Sequence, residues 1–155
     1  SARLIQHHFE IQKIHYQEQL CASPCMVMCD PNLLEQAFVA LFVNAVEAMP
    51  EGGYLRVQCH CPADSPEAEI RISDTGNGIP EEILPNIFEP FFTTKLEGKG
   101  VGLGLSVVYG IIEQHSGQIR VESKVDQGTT FYIQLPKVIT DRQNKQLPEE
   151  VIEKG

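Results

Sequence analysis

A two-layer α/β sandwich, an α+β arrangement with helices on one face of a mixed, mainly antiparallel sheet, is the fold class this sequence predicts. Three observations predict it. Two long segments carry apolar residues at helical spacing, shorter segments alternate at strand spacing, and the order is helix, two strands, long loop, helix, two strands. Amphipathic helices must bury their apolar stripes, and a sheet with one apolar face gives both a shared surface. The 155 residues suit one such core, and two would be cramped.

Residues 1 to about 20 read as a leading segment, the end of a helix and then an extended stretch. Cys25 to Cys29 (CMVMC) is a short apolar strand candidate. Asp30-Pro31 then starts a helix, with Asp as N-cap and Pro in the first turn. Leu33, Leu34, Ala37, Phe38, Leu41, Phe42, Ala45, Val46 and Ala48 form its apolar stripe, and Met49-Pro50 with Gly52-Gly53 ends it. Tyr54 to His60 and Ala68 to Asp74 alternate as strands around a Cys61 to Pro66 loop. Residues 75 to about 101 are rich in Gly, Pro, Thr and Lys, a length that marks a lid or binding loop. Gly102 to His115 is the second helix, stopped by Ser116-Gly117. Gln118 to Lys124 and Thr129 to Leu135 are strands joined through Asp126 to Gly128. The polar residues 138–155 read as a tail, giving the division 1–24, 25–137 and 138–155.

The formal net charge of -9 argues against nucleic acid as the main partner, because phosphate backbones need a basic surface. A nucleotide is not excluded, since backbone N–H groups, a lysine or two and a divalent ion hold a small polyanion. No run approaches the roughly 20 apolar residues that span a bilayer, which predicts no direct membrane insertion by this chain and leaves a membrane-anchored parent open; the cytoplasmic location expected rests on the cysteine usage. Cys21, Cys25, Cys29, Cys59 and Cys61 are odd in number and lack paired zinc spacing, which favours reduced thiols over a metal site.

Three glycine-bearing loops carry the chemistry: Asp74-Thr75-Gly76-Asn77-Gly78 ending a strand, Gly98 to Gly104 opening a helix, and Gly128-Thr129-Thr130-Phe131 opening the last strand. The middle loop suits an anion, because glycines let the backbone approach closely and a helix N-terminus presents unpaired N–H groups. It is not a P-loop, having no Lys-Ser or Lys-Thr after its last glycine. It is not a dinucleotide fingerprint either, since no βαβ unit surrounds it. Alone it is equally well an ordinary turn.

Taken together these segments resemble the N, G1, F, G2 and G3 boxes of the histidine-kinase branch of the GHKL ATPases. NLLEQAFVALFVNAVEAMPEGG is similar to the N box, DTGNGIP to G1, IFEPFFTTK to F, GKGVGLGLS to G2 and GTTFYIQLP to G3, in family order from Asp30 to Pro136. The resemblance implies the catalytic, ATP-binding domain of a two-component sensor histidine kinase, using ATP and Mg2+. The parent would move the γ-phosphate to a histidine on a separate dimerisation and phosphoacceptor helical domain, and so serve a response regulator indirectly. Residues 1–24 would then be a linker from that domain.

The resemblance assigns roles residue by residue. Asn44 would bind Mg2+, with Glu47 beside it in the site. Asp74 would accept the adenine amino group, and Gly76, Gly78 and Ile79 would lie against base and ribose. Thr129 would support Asp74 and the base. Gly100, Val101, Gly102, Leu103, Gly104 and Leu105 would cradle phosphates. Lys95 or Lys99 would reach the terminal phosphates, Lys95 being the preferred catalytic partner of Asn44. Phe88, Phe91 and Phe92 would anchor the lid. Ala40 departs from the family, which places Asn, His or Glu four residues before the magnesium-binding Asn. Glu35 lies about 140° around the helix from Ala40 and does not replace it. No His-Glu pair occurs, so the phosphoacceptor is expected outside the chain. A degenerate nucleotide-binding module without transfer, and a GHKL serine kinase or ATPase, are the rival readings.

Overall fold

The computed structural model describes residues 13–20, 27–89 and 104–138. Strand β1 (Ile14–Gln19) is followed by helix α1 (Pro31–Ala48), β2 (Gly53–His60), β3 (Glu67–Asp74), a single 3₁₀ turn at Leu84–Asn86, α2 (Gly104–Gln114), β4 (Gln118–Lys124) and β5 (Gly128–Pro136). The five strands form one sheet in the order β1-β2-β3-β5-β4, parallel between β1 and β2 and antiparallel elsewhere. The expected mixed, mainly antiparallel sheet is what folds. Every helix and strand read from residues 30 onward reappears within two residues of its expected bounds.

The leading segment holds the fifth strand. Ile14 to Gln19 pairs in register with Gly53 to Gln58, and its buried Ile14 and half-buried Tyr16 face the core. Of the strand candidate Cys25 to Cys29, residues 25 and 26 lie outside the described ones, and Val27 makes only an isolated antiparallel bridge to Lys137. One cysteine reading is corrected: Cys61, expected reduced, is disulfide-bonded, whereas Cys29 keeps a free thiol. Spacing along the chain says nothing about which distant loops a fold brings together.

Helix α1 starts as its sequence dictates. The Asp30 carboxylate accepts from the Asn32 and Leu33 N–H groups, satisfying donors that no helical carbonyl reaches. Its inner stripe of Leu34, Ala37, Leu41, Phe42, Ala45 and Val46 is buried. Against it stand Val108, Ile111 and Ile112 of α2, with Leu55, Ile72, Phe131, Ile133 and Leu135 of the sheet, in one cluster. Burying such side chains at about 25 cal/mol per Å² of apolar surface is the main force holding the layers together.

His115 clasps the helices at their far ends. Asp30 N–H donates to its Nε2 at 3.0 Å, so that nitrogen accepts and Nδ1 carries the proton, donating to the Ile111 carbonyl at 2.7 Å. The ring thereby ties the start of α1 to the end of α2. The opposite face of the sheet is polar. There the Arg120 guanidinium lies 3.8 Å from the Tyr132 ring centre, and Tyr132 and Arg120 both bond to Glu122.

Candidate functional site

At one end of the sheet β3 finishes beside the start of β5. Asp74, last residue of β3, stands opposite Thr129 in the register, and both are buried, at 7% and 4% exposure. They are the only buried polar residues among the described ones. A carboxylate is rarely buried without bonded partners. Here the Gly76 N–H donates to Oδ1 at 2.8 Å, and the Thr129 backbone N–H also reaches the carboxylate. Burial pushes the Asp74 acid upward from its ordinary value, and those two N–H groups hold it partly down. The result is a fixed hydrogen-bond acceptor in a poorly hydrated corner.

The loop after Asp74 is wedged between the two layers. The Asn77 N–H donates to the Ala48 carbonyl at 2.9 Å, capping an orphan carbonyl at the end of α1. At Gly76 any Cβ would overlap that carbonyl, so only glycine lets the loop lie on the helix end. Asn44, half-buried, and Glu47, exposed, sit within a turn or so of this junction. The fold thus brings the predicted N-box residues to the predicted G1 loop.

On its other side the loop meets the β4–β5 turn. Asp126 N–H donates to the Asn77 carbonyl at 2.6 Å, and Gly78 adopts φ +77 with its α-carbon against the Lys124 carbonyl. Ile79, half-buried, donates its N–H to Ser123 Oγ at 2.8 Å. Ser123 also bonds to the Gly128 carbonyl at 2.9 Å and lies 2.8 Å from Thr129 Oγ1. Sequence reasoning missed Ser123. Its only signal was a polar residue where the alternation of β4 (Ile119, Val121, Ser123) calls for an inward apolar one. Thr75 was missed as well: its hydroxyl accepts the Tyr54 N–H at 3.0 Å and ties the loop to β2.

Gly104 and Leu105 are the first described residues of α2, and the start expected at Gly102 lies outside the described residues. Phe88 docks the start of the long loop on the core, its ring centre 5.4 Å from Tyr109 and 6.4 Å from Phe131. The remaining expected contributors, Lys95, Lys99, Gly100, Val101, Gly102 and Leu103, with Phe91 and Phe92, lie outside the described residues. Ala40 packs against the core, so that turn of α1 offers no polar group to the site. Among the described residues no cluster of three His, Cys, Asp or Glu side chains is placed to hold a metal. No helix among them is long and apolar enough to cross a membrane.

These features coincide with what comparison finds. Residues 29–139 match the family of histidine kinase-, DNA gyrase B- and HSP90-like ATPases. Sensor kinase CckA of Brucella abortus (strain 2308) is 47% identical over 141 residues, covering 83% of this chain, while the chain spans 15% of CckA. Among solved structures, the catalytic domain of histidine kinase ThkA in a nucleotide-free form superposes with a TM-score of 0.77 at 31% identity, covering 88% of this chain and 87% of that one. ThkA in complex with the response regulator protein TrrA superposes with a TM-score of 0.73 at 28% identity, over 88% of this chain and 38% of that one. The matched stretch contains the buried Asp74–Thr129 pair and the glycine loop on the end of α1, and the chain therefore belongs to the histidine kinase-, DNA gyrase B- and HSP90-like ATPase family.

Proposed function

We propose that this chain is the ATP-binding catalytic domain of a sensor histidine kinase, whose parent transfers the γ-phosphate of ATP to a histidine on a separate helical domain. The observation that carries the reading is Asp74. A buried carboxylate whose retained partners are two backbone N–H groups keeps accepting capacity for a donor that water does not supply, and the exocyclic amino group of adenine is such a donor. Gly76 and Gly78 let the loop pack flat against the end of α1 and the β4–β5 turn, which fixes the backbone beside Asp74 where a base would lie. Gly104 and Leu105, in the first turn of α2, add helix N-terminal N–H groups for phosphate.

The donor chemistry also fits Mg2+. Asn44 supplies one neutral oxygen at the end of α1, and Mg2+ takes few protein ligands, leaving its other positions to phosphate oxygens and water. When bound, the ion would neutralise phosphate charge. The chain itself positions ATP and excludes water, which is most of what phosphoryl transfer asks of a protein. Ala40 cannot take a proton, so hydrolysis by a base at that helix position is disfavoured. The similarity to CckA and to ThkA bound to its response regulator supports a place in two-component signalling, with a phosphoacceptor helical domain of the same parent as direct partner. A cytoplasmic location accords with that role.

The test joins this chain to its own parent's helical domain and supplies radiolabelled ATP with Mg2+. Label on the helical domain that acid removes and alkali spares supports histidine transfer. Acid-stable label supports a serine kinase. ATP binding without label, rescued by Ala40→Asn, supports a degenerate module.

A further inference from the structure

Ser123 belongs to none of the glycine-bearing motifs, yet three segments meet at its hydroxyl. It accepts the Ile79 N–H at 2.8 Å, donates to the Gly128 carbonyl at 2.9 Å and stands 2.8 Å from the Thr129 hydroxyl. A serine hydroxyl has one proton. The Gly128 carbonyl can only accept, so the proton goes there. In the remaining pair, Thr129 must then donate to Ser123. With its own proton turned towards Ser123, Thr129 Oγ1 has only lone pairs left for anything else. Thr129 stands opposite Asp74 on β3, both buried, with the Thr129 backbone N–H on the Asp74 carboxylate. An ionised carboxylate likewise only accepts.

We infer that Ser123 is a specificity-determining positioning residue: by holding the Thr129 proton it makes the base end of the site accept only. With the 6-substituent of the purine facing Asp74 and Thr129, an exocyclic amino group finds acceptors there, whereas a keto oxygen in the same place sets lone pairs against lone pairs without a donor. The inference rests on the nucleotide site proposed above and deepens it. Removing the Ser123 hydroxyl leaves Asp74 in place but frees the Thr129 hydroxyl to rotate and donate to a keto oxygen. Discrimination then falls because the wrong base gains a partner.

The test is the ratio of ATP to inosine triphosphate affinity, measured by calorimetric titration of the 155-residue chain. Inosine triphosphate carries a keto oxygen where ATP carries the amino group. Ser123→Ala should lower the ratio about tenfold, and Ser123→Thr, which keeps the hydroxyl, should hold it within about twofold of the parent. Equal weakening of both nucleotides by Ser123→Ala, as a merely structural role would give, overturns the inference. If thermal melting shows that Ser123→Ala does not fold, Thr129→Val keeps the volume and removes the same lone pairs. An unchanged ratio in that variant overturns the inference too. A parent chain that binds no adenine nucleotide overturns the proposed function itself. ATP binding with an unmoved ratio overturns this inference alone.

Discussion

Gly78→Ala is the perturbation whose cost follows most directly from the structure. Gly78 has φ +77, where an L-residue pays roughly 1–2 kcal/mol. Its added Cβ would also overlap the Lys124 carbonyl oxygen, with the Lys124 carbonyl carbon at 2.6 Å and the Val125 Cα at 2.9 Å. All three are backbone atoms of the β4–β5 turn, so no flexible side chain can move aside. Forcing loop and turn apart should add about 1–3 kcal/mol, the usual range for overpacking. It also stretches the Asp126–Asn77 and Ile79–Ser123 hydrogen bonds that set the site. The sum is about 2–5 kcal/mol, a large share of a domain's typical 5–15 kcal/mol. At about 4 °C per kcal/mol, the melting midpoint should fall by roughly 8–20 °C. Urea unfolding and a thermal melt read this, with Gly110→Ala as a control of opposite sign. Gly110 lies within α2 with nothing within 4 Å of an added Cβ, and alanine there should stabilise by roughly 0.5–1 kcal/mol. A Gly78→Ala midpoint within about 2 °C of the parent would refute the reasoning, because strain and overlap together cannot cost so little.

Leu41→Ala, at a position 1% exposed between the helices and the sheet, should cost about 2–5 kcal/mol in urea unfolding without changing which nucleotides bind. Asp30→Ala removes the acceptor of the Asn32 and Leu33 N–H groups and should cost about 1 kcal/mol, read as a lower urea midpoint at unchanged slope. Asp74 gives a pH signature. Burial raises its folded-state acid above the ordinary 3.8, so the folded chain binds more protons than the unfolded one over that interval. Its contribution to stability is then more favourable below the interval and is lost as pH rises through it. Asp74→Asn cannot ionise, so the unfolding free energy of variant relative to parent should move in the variant's favour from about pH 4 upward. A difference that stays flat with pH would contradict the assigned burial.

What the sequence disclosed follows the range of the interactions involved. Asp30-Pro31 sets the start of α1 through groups two and three residues away, so it was legible locally. The strands from Gly53 onward declared themselves by alternation. Strand β1 did not, because IHYQEQ has only Ile14 buried and its sheet membership depends on partners 39 residues later. The site split in the same way. Asp74, Gly76, Gly78 and Thr129 sit in glycine-bearing loops that stand out from any neighbouring sequence. Ser123 acts through contacts with Ile79, 44 residues before it, and with the following turn. Nothing next to it announces that. The disulfide at Cys61 and the acceptor role of His115 are likewise products of tertiary meeting, which spacing alone does not encode.

The most direct test of the central claim is calorimetric titration of ATP with Mg2+ into the parent chain and into Asp74→Asn. The parent should show a single ATP site, weakened when Mg2+ is withheld, and lost in a variant that remains folded by thermal melting. Undiminished ATP binding by folded Asp74→Asn would contradict it, because the buried carboxylate would then not be what holds the base.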